Sequence, residues 1–175
     1  MLEIQTARLH IRPADQAAME SISSLNTTDN MSEYLASLSP ADLAVILLNK
    51  KKLTQLFDRF TDVLRAEDRE IYGARLGERL IGYISLINAS SRCPEMQIEI
   101  VPDFQHHGYG YEFMQALLKQ LFIEKDYEYI RYTATPSNTA SIALAEKIGA
   151  ALQKPESKAE ELLMKTYFIR SSSIK

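Results

Sequence analysis

Apolar residues recur with a helical period in the first third of the chain, then alternate, then do each in turn. R-L-H-I-R-P alternates apolar and polar from Leu9 to Arg12 and stops at Pro13, which predicts a short first strand. Asp15 is placed to cap a helix starting near Gln16, with Ala18, Met19, Ile22 and Leu25 on its apolar face. Asn26 to Asn30 reads as a loop. Ser39-Pro40 offers a capping hydroxyl and a first-turn residue with no N–H to leave unpaired, so a helical region is expected from there to about Arg65. Its apolar positions are Leu43, Ile46, Leu47, Leu53, Leu56, Phe57, Phe60, Val63 and Leu64. The Lys50-Lys51-Lys52 run fits a solvated helix face or a break between two helices better than a cation patch.

After Asp68 the period shortens. R-E-I-Y-G-A-R and R-L-I-G-Y-I-S-L-I flank L-G-E, which predicts an antiparallel hairpin with Gly77 at the positive φ of its turn. From Glu95 to Val101 a third strand sets Met96, Ile98 and Ile100 on one face and Glu95, Gln97 and Glu99 on the other. Paired apolar residues from Tyr111 to Glu124 make a broad helical stripe. Tyr127 to Ala134 reads as a strand, and the segment from Pro136 as a capped helix ending at Gly149. Two closing strands are expected at Ala151 to Gln153 and Leu162 to Ile169, with a charged loop between.

With 175 residues, no repeat and no linker, residues 1–175 are expected to form one domain. A net charge of -3 argues against a broad nucleic-acid surface. One cysteine, Cys93, allows neither an internal disulfide nor a cysteine-rich zinc site. His10, His106 and His107 form no ligand pattern, so no metal is expected. No leader pattern and no apolar run of ~20 residues is read, which fits a cytoplasmic protein that does not enter membranes. Monomer and homodimer are both open.

One junction is chemically distinctive. V-P-D-F-Q-H-H-G-Y-G-Y-E-F, from Val101 to Phe113, carries two glycines between the third strand and the long helix. A helix start presents unpaired N–H groups, and glycines there let a ligand approach the backbone. The dipole contributes about 0.3–1 kcal/mol, whereas each hydrogen bond to a charged group contributes about 1.5–3 kcal/mol. Several amides converging on one phosphate therefore dominate, and a phosphorylated ligand is expected. The dinucleotide pattern G-x-G-x-x-G fails because Phe113 stands where its third glycine belongs, and no P-loop is present.

What remains, Q-x-x-G-x-G from Gln105 to Gly110, resembles the acyl-CoA pyrophosphate loop of the GNAT N-acetyltransferase superfamily. P-S-N-T-A-S-I-A-L-A-E-K-I-G-A, Pro136 to Ala150, resembles the family's second segment. There an asparagine after a strand opens a helix that ends in E-K-x-G. T-A-R-L-H-I-R-P, Thr6 to Pro13, is similar to the opening of the subgroup containing the ribosomal-protein alanine acetyltransferases, RimJ and RimL. The resemblance implies an α+β, three-layer fold: a mixed, mostly antiparallel sheet flanked by helices. It also implies acetyl transfer from acetyl-CoA to a primary amine by direct attack in a ternary complex. The acceptor is a protein N-terminus or a small molecule such as a polyamine, amino acid or aminoglycoside. The other class of reading is an acyl-CoA-binding module without turnover.

Carried onto this chain, the resemblance places the pyrophosphate on Gln105, His106, His107, Gly108, Tyr109, Gly110 and Tyr111. It gives the pantetheine arm backbone groups of Ile100 and Val101, with Asn138 bonding the arm or ordering water. Glu95 and Glu99 are the candidates for base or acceptor contact, or simply a solvated pair. The family's usual tyrosine, seven residues after the asparagine, is Ala145 here, so Ser141 is the hydroxyl available to the leaving thiolate. Helix capping competes as a role for Asn138 and Ser141.

Overall fold

In a computed structural model the chain is described over residues 2–25, 31–55, 58 and 66–174, with 31–33 described for backbone alone. Among these residues eight strands make one sheet, ordered β1 (Ile4–Gln5), β2 (His10–Pro13), β3 (Arg69–Leu76), β4 (Arg79–Ile87), β5 (Glu95–Ile100), β6 (Ile130–Ala134), β8 (Lys165–Ile169) and β7 (Ala151–Leu152). All neighbours are antiparallel except β5 and β6. The helices are α1 (Gln16–Ser23), α2 (Met31–Ser37), α3 (Pro40–Leu48), a helical stretch α4 over residues 50–55, α5 (Tyr109–Glu124), α6 (Thr139–Ile148) and α7 (Lys158–Leu163).

Helices cover both faces. On one, the stripe of α5 places Phe113, Met114, Leu117, Leu118 and Leu121 in the core with no exposed surface, against Met96, Ile130 and Tyr132 of the sheet. Each such side chain contributes roughly 1.5–3 kcal/mol. On the other, Ile22 of α1 packs with Tyr83 and Val101 in a separate cluster. This is the expected three-layer α+β arrangement.

Several boundaries differ from the sequence expectation. Of the two readings open for the lysine run, the structure has the break between helices: Asn49, with φ of -92° and ψ of 64°, ends α3, and the lysines open a new helix. Leu56, Phe57, Phe60, Val63 and Leu64, and the loop Asn26–Asn30, lie outside the described residues. The segment expected as a charged loop folds into α7, because the Ser157 hydroxyl accepts from the Glu160 amide. Leu162 therefore belongs to that helix, and β8 starts at Lys165. β6 begins at Ile130 rather than Tyr127, whose hydroxyl instead donates to the Ala89 carbonyl at 2.7 Å. Burial, followed by the charges of Glu70 and Asp68, pushes that phenol up to about 12.

Candidate active site

The parallel pair β5–β6 is joined only at Glu95–Arg131 and Met96–Tyr132. Beyond that point β5 stays with β4 as far as Gly82–Ile100, and β6 stays with β8 as far as Ala134–Lys165. The two strands therefore diverge and leave an open edge on β5 over residues 97–100, about 13 Å long at ~3.3 Å per residue. Gly82 makes this possible. A Cβ there would lie 2.5 Å from Ile100 Cδ1 and 2.6 Å from the Glu99 carbonyl oxygen, so only glycine lets the end of β5 lean onto β4.

The chain then turns from β5 into α5. The Val101 amide donates to Ile81 at 2.9 Å and its carbonyl accepts from Phe104 at 2.8 Å, so both groups are spent within the chain. Neighbouring residues of a strand direct their peptide groups to opposite sides, which turns those of Ile98 and Ile100 toward the gap. Gln105 Nε2 donates to the Ile100 carbonyl at 2.8 Å and ties the loop to the strand end. His106 (φ 62°) and Gly108 (φ 81°) both adopt the left-handed conformation, and α5 starts at Tyr109, two residues before the expected Tyr111. The sharp reversal at Gly108 suits a residue without Cβ. The amides of Gly108, Tyr109, Gly110 and Tyr111 have no acceptor among the described residues. His107 Nδ1 lies 2.6 Å from the Gln105 carbonyl oxygen, and the Tyr111 ring receives the Lys147 ammonium 4.3 Å from its centroid. The structure thus gathers Gln105 to Tyr111 at the mouth of the gap.

The opposite wall is α6, which starts past the end of β6. Asn138 caps it, its Oδ1 accepting from the Ser141 amide at 2.9 Å. Capping is thus established for Asn138, and it uses the amide of Ser141, not the hydroxyl. Because β5 and β6 are parallel, the starts of α5 and α6 lie at the same end of the sheet, where ligands of open α/β sheets bind. Ala145, where the family usually has tyrosine, has no exposed surface.

The two glutamates are well apart along β5. Glu95 sits at the closed end of the gap and accepts from Thr133 Oγ1 of β6 at 3.1 Å. Glu99 accepts from the Tyr83 hydroxyl at 2.6 Å and the Ser23 hydroxyl at 3.3 Å, in a network between β4, β5 and α1. Burial, then the hydrogen bond to Glu99, raises the Tyr83 phenol far above its ordinary range, so it stays protonated and donates to that carboxylate. Sequence reasoning did not single out Tyr83 or Ser23, nor the brace formed by Thr6, Arg8 and Glu112. The partners in that brace lie over a hundred residues apart, and no local pattern announces such a contact. Among the described residues no cluster of His, Cys, Asp or Glu could hold a metal ion, and no helix is long and apolar enough to cross a membrane.

Two parallel strands parting inside a mostly antiparallel sheet, with a glycine-bearing helix start at the opening, define an acyl-CoA N-acyltransferase fold. The family model of the acetyltransferase (GNAT) domain matches residues 8–151, and the chain belongs to that family. Its activity class is that of an acetyl-CoA-dependent N-acetyltransferase. Similar solved structures include RimL, a ribosomal alpha-N-protein acetyltransferase in complex with coenzyme A. It is 18% identical with a TM-score of 0.63, over 98% of this chain and 99% of that one. Spermidine N-acetyltransferase from Vibrio cholerae, in complex with CoA and spermine, is 19% identical with a TM-score of 0.60, over 97% of this chain and 99% of that one. An acetyl transferase from Salmonella typhimurium that modifies an N-terminal serine of a ribosomal subunit protein is 16% identical with a TM-score of 0.60, over 94% and 96%. At these identities the likeness is one of fold. No curated protein matches the chain in sequence.

Proposed function

We propose that the protein acetylates the α-amino group of a protein N-terminus, with acetyl-CoA held by the Gln105–Tyr111 loop. The observation that carries this reading is the alignment of an open strand edge with the unpartnered amides that begin α5. The amides from His106 to Tyr111 bind the diphosphate, and His106 and His107 themselves stay toward solvent. Gln105 acts through its hold on Ile100. The pantetheine arm runs along β5 as an added strand would, bonding the peptide groups of Ile98 and the N–H of Ile100, since the Ile100 carbonyl accepts from Gln105 and the groups of Val101 are committed elsewhere. This arm brings the thioester toward the closed end of the gap, where Glu95 stands.

There the amine attacks the thioester carbonyl carbon. A C–N bond forms, the C–S bond breaks, and the electron pair leaves on sulfur. Before the attack Glu95 takes one proton from the ammonium, directly or through water. The second proton that the nitrogen sheds as the amide forms goes to the departing sulfur, and Glu99 attracts the cationic acceptor on the same strand face. The Ser141 hydroxyl stabilises the thiolate, in place of the tyrosine that Ala145 lacks, and Asn138 orders that end of α6. An N-terminal amine, with a pKa near ~7.7–8.0, asks far less of this base than lysine near ~10.4. No metal takes part in this reading. The single domain works in the cytoplasm, as a monomer or homodimer.

A thiol-release assay with an acceptor panel tests the proposal. A peptide with a free N-terminal alanine or serine should release CoA, and the same peptide blocked at its N-terminus but retaining a lysine should not. Turnover with spermidine alone would assign the small-amine reading that the polyamine-binding neighbour favours. Stabilisation by acetyl-CoA with no turnover on any amine would leave a non-catalytic acyl-CoA module.

A further inference from the structure

Glu112, in the first turn of α5, is at odds with a diphosphate at the same helix start, since a carboxylate there repels the anion the helix attracts. The N-terminal strand region resolves this conflict. Arg8 meets Glu112 Oε2 through Nε at 2.6 Å and through a second nitrogen, Nη2, at 2.6 Å, a charge-assisted pairing from both donors. Its remaining nitrogen, Nη1, donates to the His107 carbonyl at 3.0 Å, and its guanidinium lies over the Tyr109 ring, 4.4 Å from the centroid. The other carboxylate oxygen of Glu112 accepts from the Thr6 hydroxyl at 2.5 Å and the Arg8 amide at 3.0 Å. Burial pushes the Glu112 carboxyl up, but the bonds from Thr6 and Arg8 outweigh it and hold the group below the usual range, so it stays charged.

The contact with His107 has a directional consequence. The carbonyl and the N–H of one trans peptide point opposite ways, and the described backbone has no cis bond. Drawing the His107 carbonyl toward Arg8 therefore aims the Gly108 N–H away from Arg8, outward from the loop. What suits glycine at position 108 is its φ of 81°; a Cβ there would make only an ordinary contact, 3.5 Å from Nη2.

We infer that Arg8, held by Glu112 and Thr6, is a positioning residue for acyl-donor recognition: it fixes the His107–Gly108 peptide toward the diphosphate and neutralises the carboxylate beside it. The inference rests on the loop holding the diphosphate, and its test separates the two claims.

Acetyl-pantetheine carries the thioester without the diphosphate. With the best acceptor of the panel, kcat/KM is measured for both donors in the wild type and in Arg8→Ala, Arg8→Lys and Glu112→Gln, each checked by thermal melting. In the wild type acetyl-CoA should exceed acetyl-pantetheine strongly. Equal values would remove the loop reading itself. In Arg8→Ala the acetyl-CoA value should fall about 10- to 30-fold through KM, with acetyl-pantetheine unchanged. Arg8→Lys keeps the charge but loses the planar fork, and should fall between the two. Glu112→Gln, nearly isosteric, should lose donor preference less than Arg8→Ala, because it frees the arginine without removing it. A wild-type preference for acetyl-CoA that persists unaltered in Arg8→Ala overturns the inference and leaves the loop reading standing. An equal fall with both donors does the same, since it marks a purely structural role. If Arg8→Ala does not fold, the Arg8→Lys and Glu112→Gln ratios decide by the same criteria.

Discussion

Gly110→Leu should weaken acetyl-CoA binding about 100-fold, the loss of roughly two charge-assisted amide bonds. A Cβ at Gly110 would meet Ile100 Cγ1 at 3.7 Å and Ile98 Cδ1 and Leu144 Cδ2 at 3.9 Å, all ordinary contacts. The position thus has room for one methyl but lies between the open edge of β5 and the flank of α6, where further atoms enter the gap. Gly110→Ala should therefore bind within about threefold of wild type and melt higher, since alanine gains about 0.5–1 kcal/mol over glycine in a helix. Calorimetric titration with acetyl-CoA, beside thermal melting, reads both effects. Wild-type affinity in a folded Gly110→Leu protein would move the diphosphate away from this loop.

The second large effect belongs to the transfer step. Glu95→Gln should lower kcat by about 10²–10³ at neutral pH while leaving KM for acetyl-CoA unchanged, as expected for loss of a general base. Glutamine still accepts from Thr133, so the closed end of the gap keeps its shape. Ser141→Ala should lower kcat by about tenfold, since its hydroxyl is not the group Asn138 uses to cap α6. Steady-state kinetics with both substrates varied provide the check. A Glu95→Gln rate within about threefold of wild type would pass the proton to Glu99 or to solvent.

Much of this architecture was readable from local pattern. The stripe of α5 and the hairpin at Gly77 follow from periodicity and turn chemistry, which act over a few residues. The turn from Gln105 into α5 was legible because a glycine at a strand-to-helix junction permits the left-handed reversal seen at Gly108. The lysine run left a break between two helices open beside a continuous exposed face, and the helix over 158–163 was missed, because lysines and glutamates suit an exposed helix as well as a loop. Val101 illustrates a different limit. Alternation along β5 identifies which side chains share a face, but the pairing with Ile81 decides which peptide groups remain for a ligand. The separation of Glu95 from Glu99 depends likewise on partners distant in sequence, Thr133 for one and Tyr83 with Ser23 for the other. The Arg8–Glu112 brace is the extreme case, since each residue alone reads as an ordinary surface charge.

The central claim is that the gap between β5 and β6 holds acetyl-CoA by its diphosphate at the start of α5. Titration of the wild-type protein with acetyl-CoA and with acetyl-pantetheine tests it most directly. The account predicts saturable acetyl-CoA binding that raises the melting temperature, with acetyl-pantetheine weaker by about 100-fold or more. Equal affinity for the two donors, or no binding of either, would contradict it.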